Sequence, residues 1–330
     1  MSAPARVFVT GAAGFIGRAL CERYRELGAE VRGVDLVPGD GAGIVAGDIS
    51  EPGEWQRHAA GCELVIHTAA IVSMRSSFEG FWAANVRGTR LAIDAAAGGG
   101  ARRFVHLSSV VTFGFDYPDG VDERWPVEPN GVPYVDTKIA SEQVALAAHA
   151  DREVDCTIIR PGDVYGPRSR PWTILPVELI AAGRFLLPAR GRGVFNPAYV
   201  DNLVDGIVLA AGAEVAAGQI FTLSDGVGVE TREFFGHYVG MLGDVRAPRE
   251  LPTRVAVALA AGAERALRLA RVENEVNANA ARYLARRGVY STRKARALLG
   301  YEPVVDLDEG MRRSERWLRE NGLLVTTTGG

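Results

Sequence analysis

The sequence predicts an α/β protein: a doubly wound parallel sheet with a smaller, mostly helical C-terminal region. Three observations carry that expectation. The first half alternates short apolar runs with helical stretches, the pattern of successive βαβ units. Those runs are β-branched and nearly continuous in apolar character, as strands buried on both faces must be. Beyond residue 161 the alternation weakens, and prolines at 161, 167, 171, 176, 188 and 197 break the chain into short pieces.

Taken in order, "RVFVT" (6–10), "EVRGVD" (30–35), "ELVIHT" (63–68), "RFVHLS" (103–108) and "DCTIIRP" (155–161) are the expected strands. Helical periodicity runs through 15–28, 78–97 and 134–150. "GGG" at 98–100 is a helix stop, because glycine takes up the left-handed termination at little cost. After the proline-rich stretch, 199–212 reads as a helix and "QIFTLS" (219–224) as one more strand. From about 226 onward short helices are expected, and the final "TTTGG" is expected to fray.

Composition narrows the function. The 330 residues are 47% hydrophobic and 23% charged, with a net charge of -3, so neither nucleic acid nor an acidic membrane surface has an electrostatic case. The N-terminus enters a strand without a secretory h-region, and no uncharged apolar stretch is long enough to span a membrane. The nearest candidate, 255–270, is interrupted by Glu264, Arg265 and Arg268, and reads as an amphipathic helix over an apolar site. Cys21, Cys62 and Cys156 lie far apart and show no metal-ligand spacing, nor do the five histidines. Free thiols, no metal and a cytoplasmic location are expected.

The first strand runs directly into "TGAAGFIG", with Gly11, Gly14 and Gly17 three residues apart and Phe15 and Ile16 opening the helix. The first glycine makes the tight turn, the second lets backbone approach a pyrophosphate, and the third lets helix pack on strand. Helix N-terminal amides then meet the negative charge. Asp35 ends the second strand 18 residues after Gly17, where a carboxylate accepts from ribose hydroxyls and repels a 2′-phosphate. A Rossmann-type fold binding NAD in preference to NADP is the expectation, with Arg32 leaving room for NADP.

"VPYVDTKIA" (132–140) holds Lys138, one of two lysines in a chain whose other cations are arginine. Tyr134 lies four residues before it, so the two share a helix face. A free phenol is a poor base at neutral pH, but a neighbouring ammonium and a helix N-terminus favour phenolate. Pro133 places Tyr134 in the first turn. Ser108 and Ser109, about 25 residues upstream, are candidates to hold an alcohol or ketone oxygen. At the C-terminal edge of a parallel sheet, after a dinucleotide cradle, this is the constellation for moving a proton during hydride transfer.

These residues resemble the extended short-chain dehydrogenase/reductases, also called the NAD-dependent epimerase/dehydratase group. "VTGAAGFIG", "GDIS", "VIHTAA", "NVRGT", "HLSSVVTFG", "YVDTK", "RPGDVYGP", "PAYVDNLVDGIVLA" and "KARALLGYEP" follow the order of its landmarks across nearly the whole chain. The resemblance implies that Tyr134 transfers the proton, Lys138 orients it and the nicotinamide ribose, and Ser109 holds the substrate oxygen. It implies cofactor contacts for Asp48 and Ile49 at the adenine edge, Ala69 and Ala70 beside the diphosphate, Asn85 near the active site, Gly162 and Val164 beside the nicotinamide, and Ser108. It further implies a homodimer built on helices 78–97 and 134–150. His67 reads as a packed strand residue.

Departures from the family pattern point within it. Val110 and Val111 follow Ser109 where sugar dehydratases of the family carry an Asp-Glu pair, so elimination lacks its acid and base. Phe195 stands where nucleotide-sugar epimerases carry a phosphate-gripping arginine. The "NP-YV" form resembles the 3β-hydroxysteroid dehydrogenase branch, and Val110, Val111, Phe113, Trp172 and Phe195 suit an apolar pocket or an ordinary core. Arg168, Arg170, Arg190 and Arg192 keep an anionic sugar open. An oxidoreductase of lipophilic alcohols ranks first and a nucleotide-sugar 4-epimerase second. A non-enzymatic NAD sensor ranks third, against the presence of Tyr134 and Lys138. The expected division is 1–161 with 199–225 for NAD, and 162–198 with 226–330 for substrate.

Overall fold

The computed structural model describes residues 4–39, 42–72, 77–269 and 278–324. Five strands and the helices between them build the first half: β1 (Arg6–Thr10), α1 (Phe15–Glu26), β2 (Glu30–Asp35), β3 (Ile44–Ala46), β4 (Leu64–His67), α2 (Phe78–Trp82), α3 (Gly88–Gly99) and β5 (Arg103–Leu107). There follow α4 (Pro133–Ala150), β6 (Asp155–Pro161), β7 (Asp163–Tyr165), α5 (Leu175–Ala181), β8 (Leu186–Leu187), β9 (Val194–Phe195) and β10 (Pro197–Tyr199). The chain continues through α6 (Val200–Gly212), β11 (Ile220–Leu223), β12 (Val229–Glu230), α7 (Thr231–Leu242) and β13 (Arg249–Glu250). It ends in α8 (Thr253–Leu269), α9 (Ala278–Tyr283), α10 (Arg293–Leu299) and α11 (Leu307–Glu320).

Seven strands form one parallel sheet in the order β11-β6-β5-β4-β1-β2-β3. Period-two alternation splits its side chains between two cores. Val7 and Val9 join Leu20 and Tyr24 of α1 and Leu203 and Ile207 of α6 on one face. Phe8, Val65, Phe104 and Ile158 meet Ala92, Ile93 and Ala96 of α3 and Ala145 and Ala148 of α4 on the other. The sheet is therefore covered on both sides, as its continuous apolar strands require.

The register sets the strand ends side by side. Thr10 is level with Val34 and with His67, and Leu107 is level with Ile159. The glycine turn after β1, the loop after β4 and the serines after β5 thus open on one edge. Beyond the sheet, short pairs β7–β10, β9–β12 and β8–β13 carry an aromatic core in which Phe195 stacks on Phe234 at 3.8 Å.

Three expectations need adjustment. β3 adds an edge strand that the sequence did not announce, because three residues among glycines carry no readable period. The helix expected over 78–97 is divided by a wide π turn at Ala83–Arg87 and runs on to Gly99, where Gly100 takes the left-handed cap (φ 79°). Helix α1 stops at Glu26 rather than 28, with Gly28 turning at φ 86°. The expectation for "TTTGG" and for residue 270 lies outside the described residues.

Candidate active site

The glycine turn is built as the spacing demands. Gly11 has φ 68°, and a Cβ there would lie 2.8 Å from Thr68 Oγ1 and 2.9 Å from the Ala69 backbone. A Cβ on Gly17 would lie 2.0 Å from the Gly11 carbonyl oxygen, so only glycine lets α1 seat on the turn. Gly14 is exposed at the N-cap of α1, its N–H donating to the Gly11 carbonyl at 3.0 Å, while Phe15 and Ile16 pack half-buried against the core. Asp35 braces this cradle: Oδ2 accepts from Ala13 N at 2.9 Å and Oδ1 from Leu36 N at 2.8 Å. Arg32 is turned away, onto Glu30 and the Ala60 carbonyl.

Along the same edge, Asp48 is exposed and Ile49 buried beside it. Ala69 and Ala70 are half-buried after β4, with Ala69 N donating to Thr10 Oγ1 at 3.3 Å. Asn85, 1% exposed, lies in the π turn and uses its whole amide. Oδ1 accepts from Ile71 N, while Nδ2 donates to Ile71 O and to Thr137 Oγ1. Gly162 N donates to Leu223 O at 2.8 Å, and Val164 is buried on β7.

Helix α4 carries Tyr134 and Lys138. Pro133 occupies its first turn, and Asp136 accepts from the Asn130 and Gly131 amides, fixing the chain's entry. The Ser109 side chain, whose Oγ accepts from Val111 N at 3.3 Å, acts on the Tyr134 hydroxyl in the direction that favours the phenolate. One turn on, Lys138 is 3% exposed and donates to the Leu107 carbonyl at 2.7 Å. Ser109, Tyr134 and Lys138 therefore meet at the end of β5. Ser108 takes the other direction: its hydroxyl donates inward to Glu142 Oε1 at 2.5 Å.

The sequence profile of the NAD dependent epimerase/dehydratase family matches residues 7–223. The chain belongs to that family. Three relatives are each 29% identical to it. A 2-alkyl-3-oxoalkanoate reductase of Stenotrophomonas maltophilia aligns over 93% of this chain and 98% of its own. A 3-beta-hydroxysteroid dehydrogenase of Mycolicibacterium neoaurum aligns over 93% and 89%, and a UDP-glucose 4-epimerase of Mycolicibacterium smegmatis over 95% and 98%. The structure of MoeE5 in complex with UDP-glucose and NAD superposes with a TM-score of 0.76 at 22% identity, over 96% of this chain and 99% of that one. At that identity the likeness establishes the fold.

As a member of the family the chain is an extended short-chain dehydrogenase/reductase, and its electrostatics are specific. Burial pushes the Tyr134 phenol up to about 12, against the opposing hydrogen bond from Ser109. The lysine was expected to favour phenolate; here burial prevails. Burial likewise lowers Lys138 to about 8, with Glu142 acting the other way. His67 is buried with both ring nitrogens hydrogen-bonded, in keeping with a packed strand residue.

Val110, Phe113 and Phe195 are core rather than pocket lining: each is at most 3% exposed. Val111 is also buried, in a cluster with Val132, Val135 and Ile139 against which Tyr134, Phe115 and Tyr283 pack. Trp172 is half-buried and stacks on Tyr283 at 5.6 Å.

Sequence reasoning missed two buried ion pairs. Glu142 and Arg160 make a bidentate pair at 2.8 and 2.7 Å between α4 and β6. Glu142 stands four residues after Lys138, a spacing that could have revealed it. Arg286 donates to both oxygens of Asp163, at 3.1 and 2.9 Å, while the Tyr283 hydroxyl donates to the same carboxylate. These partners are 123 residues apart, and no local pattern joins them. No helix of the described residues is long and apolar enough to cross a membrane.

Proposed function

We propose that this protein is an NAD-dependent oxidoreductase that interconverts a secondary alcohol and a ketone on a lipophilic, steroid-like substrate. The carrying observation is the state of Arg286. It lies 3.3 Å from the Tyr283 ring centroid, beside the aromatic cluster that also packs Tyr134, and its charge is spent on buried Asp163. A site with its guanidinium already neutralised offers little to an anionic substrate, while Phe115, Trp172 and Tyr283 offer apolar rings.

In this reading Ser109 holds the substrate oxygen and Tyr134 exchanges a proton with it. A phenol held near 12 is protonated at neutral pH, the form needed to protonate a ketone oxygen. Lys138 has three N–H donors and uses one on Leu107, leaving two for the phenol and a ribose hydroxyl. The glycine turn, Asp35, Asp48, Ile49, Ala69, Ala70, Asn85, Gly162 and Val164 would form the dinucleotide's bed, and the dinucleotide, when bound, supplies the hydride acceptor or donor. Ser108 would serve through its backbone, its hydroxyl being committed to Glu142. Asp35 beside the cradle, with Arg32 turned away, supports NAD over NADP.

The proposed NAD unit is 1–161 with 199–225, and the substrate unit 162–198 with 226–330. Half-exposed Phe78 and Trp82 support a homodimer built on the helices over 78–97 and 134–150. A cytoplasmic location is proposed on the three free thiols.

A second reading, nucleotide-sugar 4-epimerase, draws on the equal identity of the epimerase relative and on exposed Arg168 and Arg192. The deciding assay follows reduced-nicotinamide absorbance with NAD and two panels, lipophilic secondary alcohols including 3β-hydroxysteroids, and nucleotide sugars. Net NADH from the first panel is expected. Interconverted sugars without net NADH would replace the proposal by the second reading. Tyr134→Phe is expected to lower kcat by about 10²–10⁴-fold with NAD affinity unchanged. Full turnover in that variant would remove Tyr134 from the chemistry.

A further inference from the structure

His67 has no part in the chemistry above, yet its hydrogen bonds can be assigned a direction. Thr89 Oγ1 lies 2.7 Å from the Asn85 carbonyl oxygen, which can only accept, so the one Thr89 hydroxyl proton points there. Thr89 Oγ1 must then accept from His67 Nε2, 3.1 Å away, and Nε2 carries a ring proton. On the other side Nδ1 lies 2.7 Å from Thr10 Oγ1. Burial, with the Lys138 cation near, holds the imidazole down at about 3, so the ring is neutral and Nδ1 is bare. Nδ1 therefore accepts the Thr10 proton, and Thr10 Oγ1 accepts from Ala69 N. His106, stacked 5.5 Å away, is kept neutral by the same burial.

The result is one directed chain, from Ala69 N–H through Thr10, His67 and Thr89 to the Asn85 carbonyl. Both ends bear on the site. Ala69 lies on the loop assigned to the cofactor. Asn85 lies in the π turn and grips Ile71 and Thr137, whose hydroxyl donates to the Pro133 carbonyl at 2.7 Å, next to Tyr134.

We propose that His67 is a positioning residue: as a neutral Nε2–H imidazole it joins the loop after β4 to the π turn and so sets α4, with Tyr134, against the dinucleotide bed. This rests on the reading of Tyr134 as the proton-transfer residue. No proton leaves the chain.

The test uses the full-length protein with NAD added. Labelling its histidines with ¹⁵N and recording long-range proton–nitrogen spectra should show His67 protonated at Nε2 and bare at Nδ1, unchanged from about pH 6 to about pH 8. An Nδ1–H or doubly protonated ring overturns the proposal. Thr89→Ser keeps the hydroxyl and loses a methyl, whereas Thr89→Val keeps the shape and loses the hydroxyl. Positioning through the hydrogen bond predicts kcat within about twofold for serine and about tenfold lower for valine, with KM for NAD within about threefold for both. A purely packing role predicts the reverse order, and that order would overturn it. Turnover is read on whichever panel is converted. Failure of both panels would count against the proposed reaction, while the tautomer spectrum still decides for or against the chain.

Discussion

Lys138 shows how one residue's environment sets a measurable pH dependence. It is buried, close to two neutral histidines, and lowered to about 8 mainly by desolvation. Below that pH both the native and the unfolded chain hold the proton, and the native state carries the cost of a buried cation. Between about 8 and the free-lysine value near 10.4 the native chain releases the proton and the unfolded chain keeps it. The unfolded state then binds more protons, so stability rises with pH across that window. Urea unfolding of the wild type should therefore gain on Lys138→Met between about pH 8 and about pH 10. Parallel curves for the two proteins would place the lysine's titration elsewhere.

At the scale of elements, two joints decide how the site is assembled. The seat of α1 on the glycine turn leaves no room for a methyl at Gly17. Gly17→Ala should displace the helix N-terminus from the turn and weaken NAD binding by at least about tenfold, read by calorimetric titration. Unchanged affinity would mean that the dinucleotide does not rest on this turn. The second joint is Glu142, which binds Arg160 of β6 and Ser108 after β5 while sitting on α4. Removing one partner of a buried pair leaves the other charge uncompensated, so Glu142→Ala should cost about 3–5 kcal/mol in urea unfolding. A loss below about 1 kcal/mol would put the pair in the class of solvated surface bridges.

Across the whole molecule, the Asp163–Arg286 pair links β7 to the segment after α9. Asn196 adds to it, accepting from Tyr290 N and donating to the Gly288 carbonyl. This network lies on the substrate side of the proposed division, with Asp163 between Gly162 and Val164 of the proposed dinucleotide bed. Arg286→Met should raise KM for the proposed alcohol substrate by about tenfold and leave NAD affinity within about twofold. Equal losses of both would show that the pair supports the fold as a single unit.

The sequence by itself determined the sheet, its parallel sense, the glycine turn, and the Tyr134–Lys138 face, because each rests on local periodicity or spacing. Strand ends, helix spacing and turn glycines are written within a few residues of where they act. Only the tertiary structure decided that Phe195 is core, that Ser108 faces inward onto Glu142, and that Arg286 is neutralised by Asp163. It also reversed the expected pull on Tyr134, since desolvation depends on what packs around the ring rather than on the lysine four residues away. Burial and pairing across more than a hundred residues are sums over distant neighbours, and no window of sequence contains them.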